Sequence, residues 1–159
     1  LEDRVVRGAG MTELEILYIA VGLVTSLLFS EVLGLAPGGI IVPGYLAMYA
    51  HQPLTILLTF AVAYVTYFIV YVLGTVTIIY GRRRTVMTIV VAFFLGWVAR
   101  SGALLAIAPP PGTTIDVVGY IIPGLIAIWI DRQGALVTFS ASVTAAIAVR
   151  LTVIVAMGV

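Results

Sequence analysis

All eight basic residues of this 159-residue chain are arginine, and seven acidic residues and one histidine complete its charged chemistry. Beyond the first fifteen residues the charges are Glu31, Arg82, Arg83, Arg84, Arg100, Asp116, Asp131, Arg132 and Arg150. A guanidinium group offers paired N–H donors that match carboxylates and phosphates. These residue types therefore point to anion recognition, partner docking or membrane orientation. The absence of lysine excludes a phosphate loop of the Walker type and any Schiff base. With no cysteine, neither disulfides nor thiolate metal sites are available. His51 stands without clustered ligands, so no zinc or iron site is expected. There is no paired-carboxylate site, no nucleophile beside a histidine and no glycine loop followed by lysine. No catalytic residue, metal or cofactor is assigned to this chain, and nothing in it suits nucleic acid.

The elements that must carry these charges are apolar. The chain is 62% hydrophobic and 9% charged, with a mean hydropathy of +1.22, more apolar surface than one water-soluble core of this size can bury. Four long segments, about 14–34, 54–80, 86–108 and 135–158, are each near the length of roughly 20 residues that crosses a hydrocarbon layer. Two shorter apolar segments, Gly39 to Ala50 and Val117 to Ile130, lie between the first and second and between the third and fourth. The expected fold is an all-α integral membrane bundle. The first apolar run, Leu14 to about Leu35, is longer than a signal-peptide core and is read as an uncleaved first helix. Residues 1–10 are polar and precede Met11; they read as an expression remnant or upstream extension, leaving 11–159 as a single membrane domain.

The short segments are copies of one another. Gly39-Ile40-Ile41-Val42-Pro43-Gly44-Tyr45-Leu46-Ala47 recurs 80 residues later as Gly119-Tyr120-Ile121-Ile122-Pro123-Gly124-Leu125-Ile126-Ala127. Each is followed by a glutamine, Gln52 or Gln133, just before a long helix. The chain thus reads as two repeats, about 11–80 and 86–159, each a helix, a broken Pro-Gly segment and a helix. Proline removes a backbone donor and glycine loosens the backbone, so Pro43-Gly44 and Pro123-Gly124 are expected to mark re-entrant or discontinuous segments facing the bundle interior. Apolar connecting turns at the membrane surface are the alternative. If the short segments exit where they enter, the chain crosses four times with parallel halves; if they cross, it crosses six times with inverted halves. The first segment's dozen or so apolar residues favour four crossings. Arg82-Arg83-Arg84 marks the cytoplasmic side on either count.

Several side chains are singled out by position. Glu31 and Arg100 occupy comparable places before Ala36-Pro37 and Ala108-Pro109, where an opposite-charge pair between repeats would ease their burial, with snorkelling to headgroups as the alternative. Arg150 lies inside the fourth long segment, and Asp131-Arg132 beside the second broken one. Phe60, Tyr64, Tyr67 and Tyr71 share one helical face, read as ordinary packing or as a wet interior surface. Small residues at Ala92, Gly96, Ala99 and Ala103, and at Ala141, Ala145 and Ala148, offer close-packing faces.

Taken together, Glu31 to Ala47, Gln52-Pro53, Tyr80 to Arg84, Gly119 to Ala127 and Arg132-Gln133-Gly134 resemble, in order and spacing, the PgsC/CapC membrane subunits of bacterial poly-gamma-glutamate capsule synthesis. The resemblance runs from Met11 to the C-terminus. It implies a multi-pass protein of the bacterial cell membrane that is not an enzyme on its own. Its implied partners are a cytoplasmic, ATP-dependent amide ligase of the PgsB/CapB type, which would carry the ATP and divalent metal, and a membrane-anchored PgsA/CapA-type subunit. Poly-gamma-glutamate would be the cargo; on that reading Arg82, Arg83, Arg84, Glu31, Arg100, Arg132, Gln52 and Gln133 are the candidate contacts for the polymer or a partner, with free backbone amides at the Pro-Gly pairs offered to chain carboxylates. Homo-oligomerisation is compatible with this reading. Without the resemblance, an independent two-repeat solute transporter or a purely structural membrane anchor fits the same residues.

Overall fold

The computed structural model describes residues 13–78, 80–101 and 121–158, with the side chain of Arg100 excepted. Within these residues every regular element is helical: α1 (Glu13–Leu33), α2 (Val42–Met48), α3 (Pro53–Val76), α4 (Arg82–Arg100), α5 (Ile122–Gln133) and α6 (Ala135–Met157). Three of them, α1, α3 and α6, are long and apolar enough to cross a membrane. Their outward faces carry Leu27, Leu28 and Val32 on α1, Leu57 and Phe68 on α3, and Ile147 and Val155 on α6, all exposed. A helix apolar on all sides with so little burial belongs in lipid.

The expected third long segment appears as α4, which starts earlier than hydropathy suggests and takes all three arginines into its first turn. Gly81 makes this start, with a positive φ of 63° that a residue with a Cβ rarely adopts. The remainder of that segment, from 102 to 108, lies outside the described residues, as do Asp116, Gly119 and Tyr120. The short α5 runs on to Gln133, where Gly134, also at positive φ, turns the chain straight into α6.

The Pro-Gly pairs open helices rather than interrupt them. Pro43 and Pro123 each occupy the second position of a short helix, where the missing N–H would have had no intrahelical partner. Both prolines are fully buried. The adjacent glycines let the short helices touch a long one: a methyl group on Gly22 of α1 would fall 2.5 Å from the Gly44 Cα, and one on Gly124 would meet the Ala92 Cβ of α4 at 3.0 Å.

Between α1 and α2 the chain runs back along α1. Ser26 Oγ donates to the Gly39 carbonyl at 3.1 Å, and Gly44 packs on Tyr18 and Ile19, farther toward the N-terminus of α1. Residues 34–41 are not helical, and an extended chain covers about 3.3 Å per residue against 1.5 Å in a helix. A dozen residues therefore reach much farther than the apolar count suggests.

Packing pairs the elements across the two sequence halves. Helix α2 lies against α1 and α6, and α5 lies against α4 and α3; α1 packs on α6 and α3 on α4. The buried faces of α3 and α6 match in spacing: Thr55, Thr59, Val62, Thr66 and Val70 on one, Thr138, Ser142, Ala145, Val149 and Val153 on the other. Even the internal bonds agree, since Thr59 Oγ1 donates to the Thr55 carbonyl and Ser142 Oγ to that of Thr138, both at 2.7 Å. Such back-bonding satisfies a hydroxyl that has no water nearby. The core is built by Val42 and Leu46 of α2, Ala63 of α3, and Ile122, Ile126 and Ile130 of α5.

Candidate functional site

Three guanidinium groups in the first turn of α4 oppose that helix's own dipole, whose N-terminus is already positive. Each costs helix stability of up to about 1 kcal/mol in that position, so helix formation does not account for them. Arg84 is offset by Asp131 in the last turn of α5, with Nη2 donating to Oδ1 at 2.5 Å. Both partners are about one-third exposed. The pair ties the α3–α4 turn to the end of α5.

Arg132 follows directly and stacks over the Trp129 ring at 5.4 Å, a cation–π contact that holds its stem while leaving the guanidinium edge open. Arg84, Asp131 and Arg132 surround a hollow of about 190 Å³ with Gly81, Thr85 and Thr88. Arg82 and Arg83 turn to the other side of α4's first turn, where they border a groove with Thr77, Ile78, Val86 and Met87. Among the described residues, four arginines thus gather with one aspartate at this end of the bundle. This arrangement can hold an anion, or several carboxylates spaced along a chain, by charge-assisted hydrogen bonds.

Gln133 serves the frame of this site. Its Oε1 accepts from the Ala36 N–H at 3.3 Å, and its Nε2 donates to the Ala36 carbonyl at 2.6 Å and to Thr138 Oγ1 at 3.2 Å. One side chain thereby fixes the loop after α1 to the α5–α6 corner. Gln52, at the corresponding corner of the first half, accepts from Thr55 Oγ1 at 3.1 Å and meets His51 Nε2 at 3.3 Å. Both glutamines hold the first threonine of the following long helix.

Other residues named from the sequence are not gathered with the arginines. Glu31 is exposed near the end of α1, and no ion pair among the described residues includes it. Arg100 closes α4, but its side chain, and with it the expected Glu31–Arg100 pair, falls outside the described residues. Pro43, Gly44, Pro123 and Gly124 are buried against the long helices. The aromatic stripe on α3 divides: Phe60 and Tyr67 pack against the core, Phe60 with Phe139 at 4.8 Å, whereas Tyr64 and Tyr71 are exposed. The contribution of Trp129 escaped the sequence reading, and its position three residues before Arg132 was the available signal.

Comparison with known proteins adds the following. The family model described as capsule biosynthesis CapC matches residues 21–139. The chain is 39% identical over 129 residues to the PGA biosynthesis protein CapC of Bacillus subtilis (strain 168), covering 79% of this chain and 85% of that one. It is 36% identical over 135 residues to the capsule biosynthesis protein CapC of Bacillus anthracis, covering 80% and 86%. No solved structure matches.

Proposed function

The chain belongs to the capsule biosynthesis CapC family, and we propose that it acts there as the membrane subunit that docks a glutamate ligase and receives its polyanionic product. The observation that carries the reading is the gathering of four arginines at one end of the bundle, Arg84 and Arg132 beside Asp131 and Arg82 and Arg83 on the adjoining groove. Arginines clustered at one end of a membrane bundle lie on the cytoplasmic side by the positive-inside rule. That is the side on which an ATP-dependent ligase would work. The chain offers no lysine for a nucleotide phosphate, which fits a division of labour in which ATP and its metal ion belong to the ligase.

The polymer and the ligase use this face differently. A poly-gamma-glutamate chain brings one carboxylate per unit, and successive carboxylates would exchange among Arg82, Arg83 and Arg132 while Arg84 stays paired with Asp131. A membrane-anchored export subunit would take the product onward, and homo-oligomers of this chain would multiply the arginine clusters. The bacterial cell membrane is the proposed setting, crossed several times.

The finer architecture belongs to the same reading. We infer two inverted halves, with six passes in place of the four that segment length favoured. The matched buried faces of α3 and α6 support it, as does the return of the chain along α1. In such a fold each short helix packs on the first helix of its own half and the last helix of the other, so neither half closes alone.

The test is glutamate-dependent polymer formation in membranes containing the ligase partner, with and without this chain. Loss of synthesis or of polymer passage without it supports the proposal. Equal synthesis and passage would overturn it. A chain that transports free solute by itself would instead favour an independent transporter.

A further inference from the structure

At the end of the bundle away from Arg84, a groove of about 560 Å³ runs between α2, the start of α3 and the C-terminal half of α6. Its walls are aliphatic and aromatic, with Leu57, Phe60 and Ile147 along its length. One charge, Arg150, lines it, and no acidic side chain does. Among the described residues Arg150 forms no ion pair. Ala50 and Pro53, which flank the polar His51-Gln52 turn, line the same groove, so the guanidinium sits level with a corner that can reach headgroups. From Arg150 to Val143 is seven residues, about 10 Å along the helix, which fits within one leaflet, half of a hydrocarbon layer of about 30 Å.

We propose that this groove is a binding site for one anionic phospholipid, its phosphate on Arg150 and an acyl chain between Leu57, Phe60 and Ile147. The charge pattern selects this occupant. A polyglutamate segment would bring carboxylates into a wall with nothing to solvate them. A second copy of the chain packed symmetrically on this groove would set one Arg150 against another. A zwitterionic lipid carries the same phosphate, but its ammonium group sets a second positive charge beside the guanidinium, and an uncharged lipid offers it no anion at all. An anionic lipid satisfies both the apolar wall and the single cation.

The test uses the whole chain purified in neutral detergent and supplied with phosphatidylglycerol or phosphatidylcholine of identical acyl chains, with retained lipid counted by native mass spectrometry. Retention of phosphatidylglycerol should exceed that of phosphatidylcholine by about tenfold, because the choline cation beside the shared phosphate opposes the guanidinium. Arg150→Gln should remove that preference and Arg150→Lys keep most of it. Ile147→Trp, placed at an exposed position in the groove, should abolish retention of both lipids while the protein still elutes as a single folded species. An unchanged preference in Arg150→Gln, or full retention in Ile147→Trp, overturns the site. So does a dimer that Ile147→Trp dissociates, which would make the groove an interface between copies.

Discussion

At Gly44 a hydrogen atom in place of a methyl group decides how close α2 comes to α1. A Cβ there would lie 2.8 Å from the Tyr18 carbonyl oxygen and 3.1 Å from the Ile19 Cα, both backbone atoms that no rotamer can move. Gly44→Ala is expected to lower stability by about 1–3 kcal/mol, the usual cost of overpacking, read as a fall in melting temperature in detergent. Gly124→Ala should cost less, because its nearest neighbours stand farther off, the Ala92 Cβ at 3.0 Å and the Ile89 Cα at 3.4 Å. Gly74, with open space around it, serves as the control: Gly74→Ala should be neutral or stabilise by up to about 1 kcal/mol. Gln133 invites a second change. Gln133→Ala strands the N–H of Ala36, whose carbonyl still accepts from the Gly38 N–H at 2.8 Å, at a cost of about 1–3 kcal/mol. The sequence marked Pro43-Gly44, Pro123-Gly124 and Gln133 as special because they recur. It could not say that the glycines are contact points, since their partners Tyr18, Gly22 and Ala92 are chosen by a helix pairing that no local pattern encodes.

At the scale of elements, the first turn of α4 and the last turn of α5 act as one unit. Asp131 neutralises one guanidinium of the four and lets the two helix ends approach. Asp131→Asn should change stability little, within about 1 kcal/mol for a pair this exposed, and should strengthen binding of a short polyglutamate. The gain should shrink at high salt, because screening acts over about 10 Å at 0.1 M. Weaker binding in Asp131→Asn would mean that Asp131 orients Arg84 rather than competing for it. Apolar runs made α1, α6 and the start of α3 legible to within one residue, though α3 ends at Val76, four residues short of its apolar run. The start of α4 was less so, because hydropathy discards arginines that a helix can accept once Gly81 has turned the chain. For the short segments, counting apolar residues assumes helical rise, and residues 34–41 are not helical, so the count by itself does not fix how far the chain reaches.

For the whole molecule, the interlocked packing of α2 with α6 and of α5 with α3 makes each half depend on the other. Residues 11–80 expressed alone should therefore not give a monodisperse helical species in detergent, whereas co-expression with residues 86–159 should restore one. The natural chain has no cysteine, which allows single cysteines to report sidedness without background. A cysteine at Leu33 and one at His51, which flank the first short segment, should be labelled from opposite faces of the membrane if that segment crosses and the halves are inverted; labelling from the same face would return the molecule to four crossings. The most direct test of the central claim is polymer formation in ligase-containing membranes by the chain bearing Arg82→Gln, Arg83→Gln and Arg84→Gln, with its orientation mapped in parallel. Docking and polymer contact at the arginine face predict that output falls while insertion and orientation stay as in the natural chain. Undiminished output with the arginines gone would contradict it.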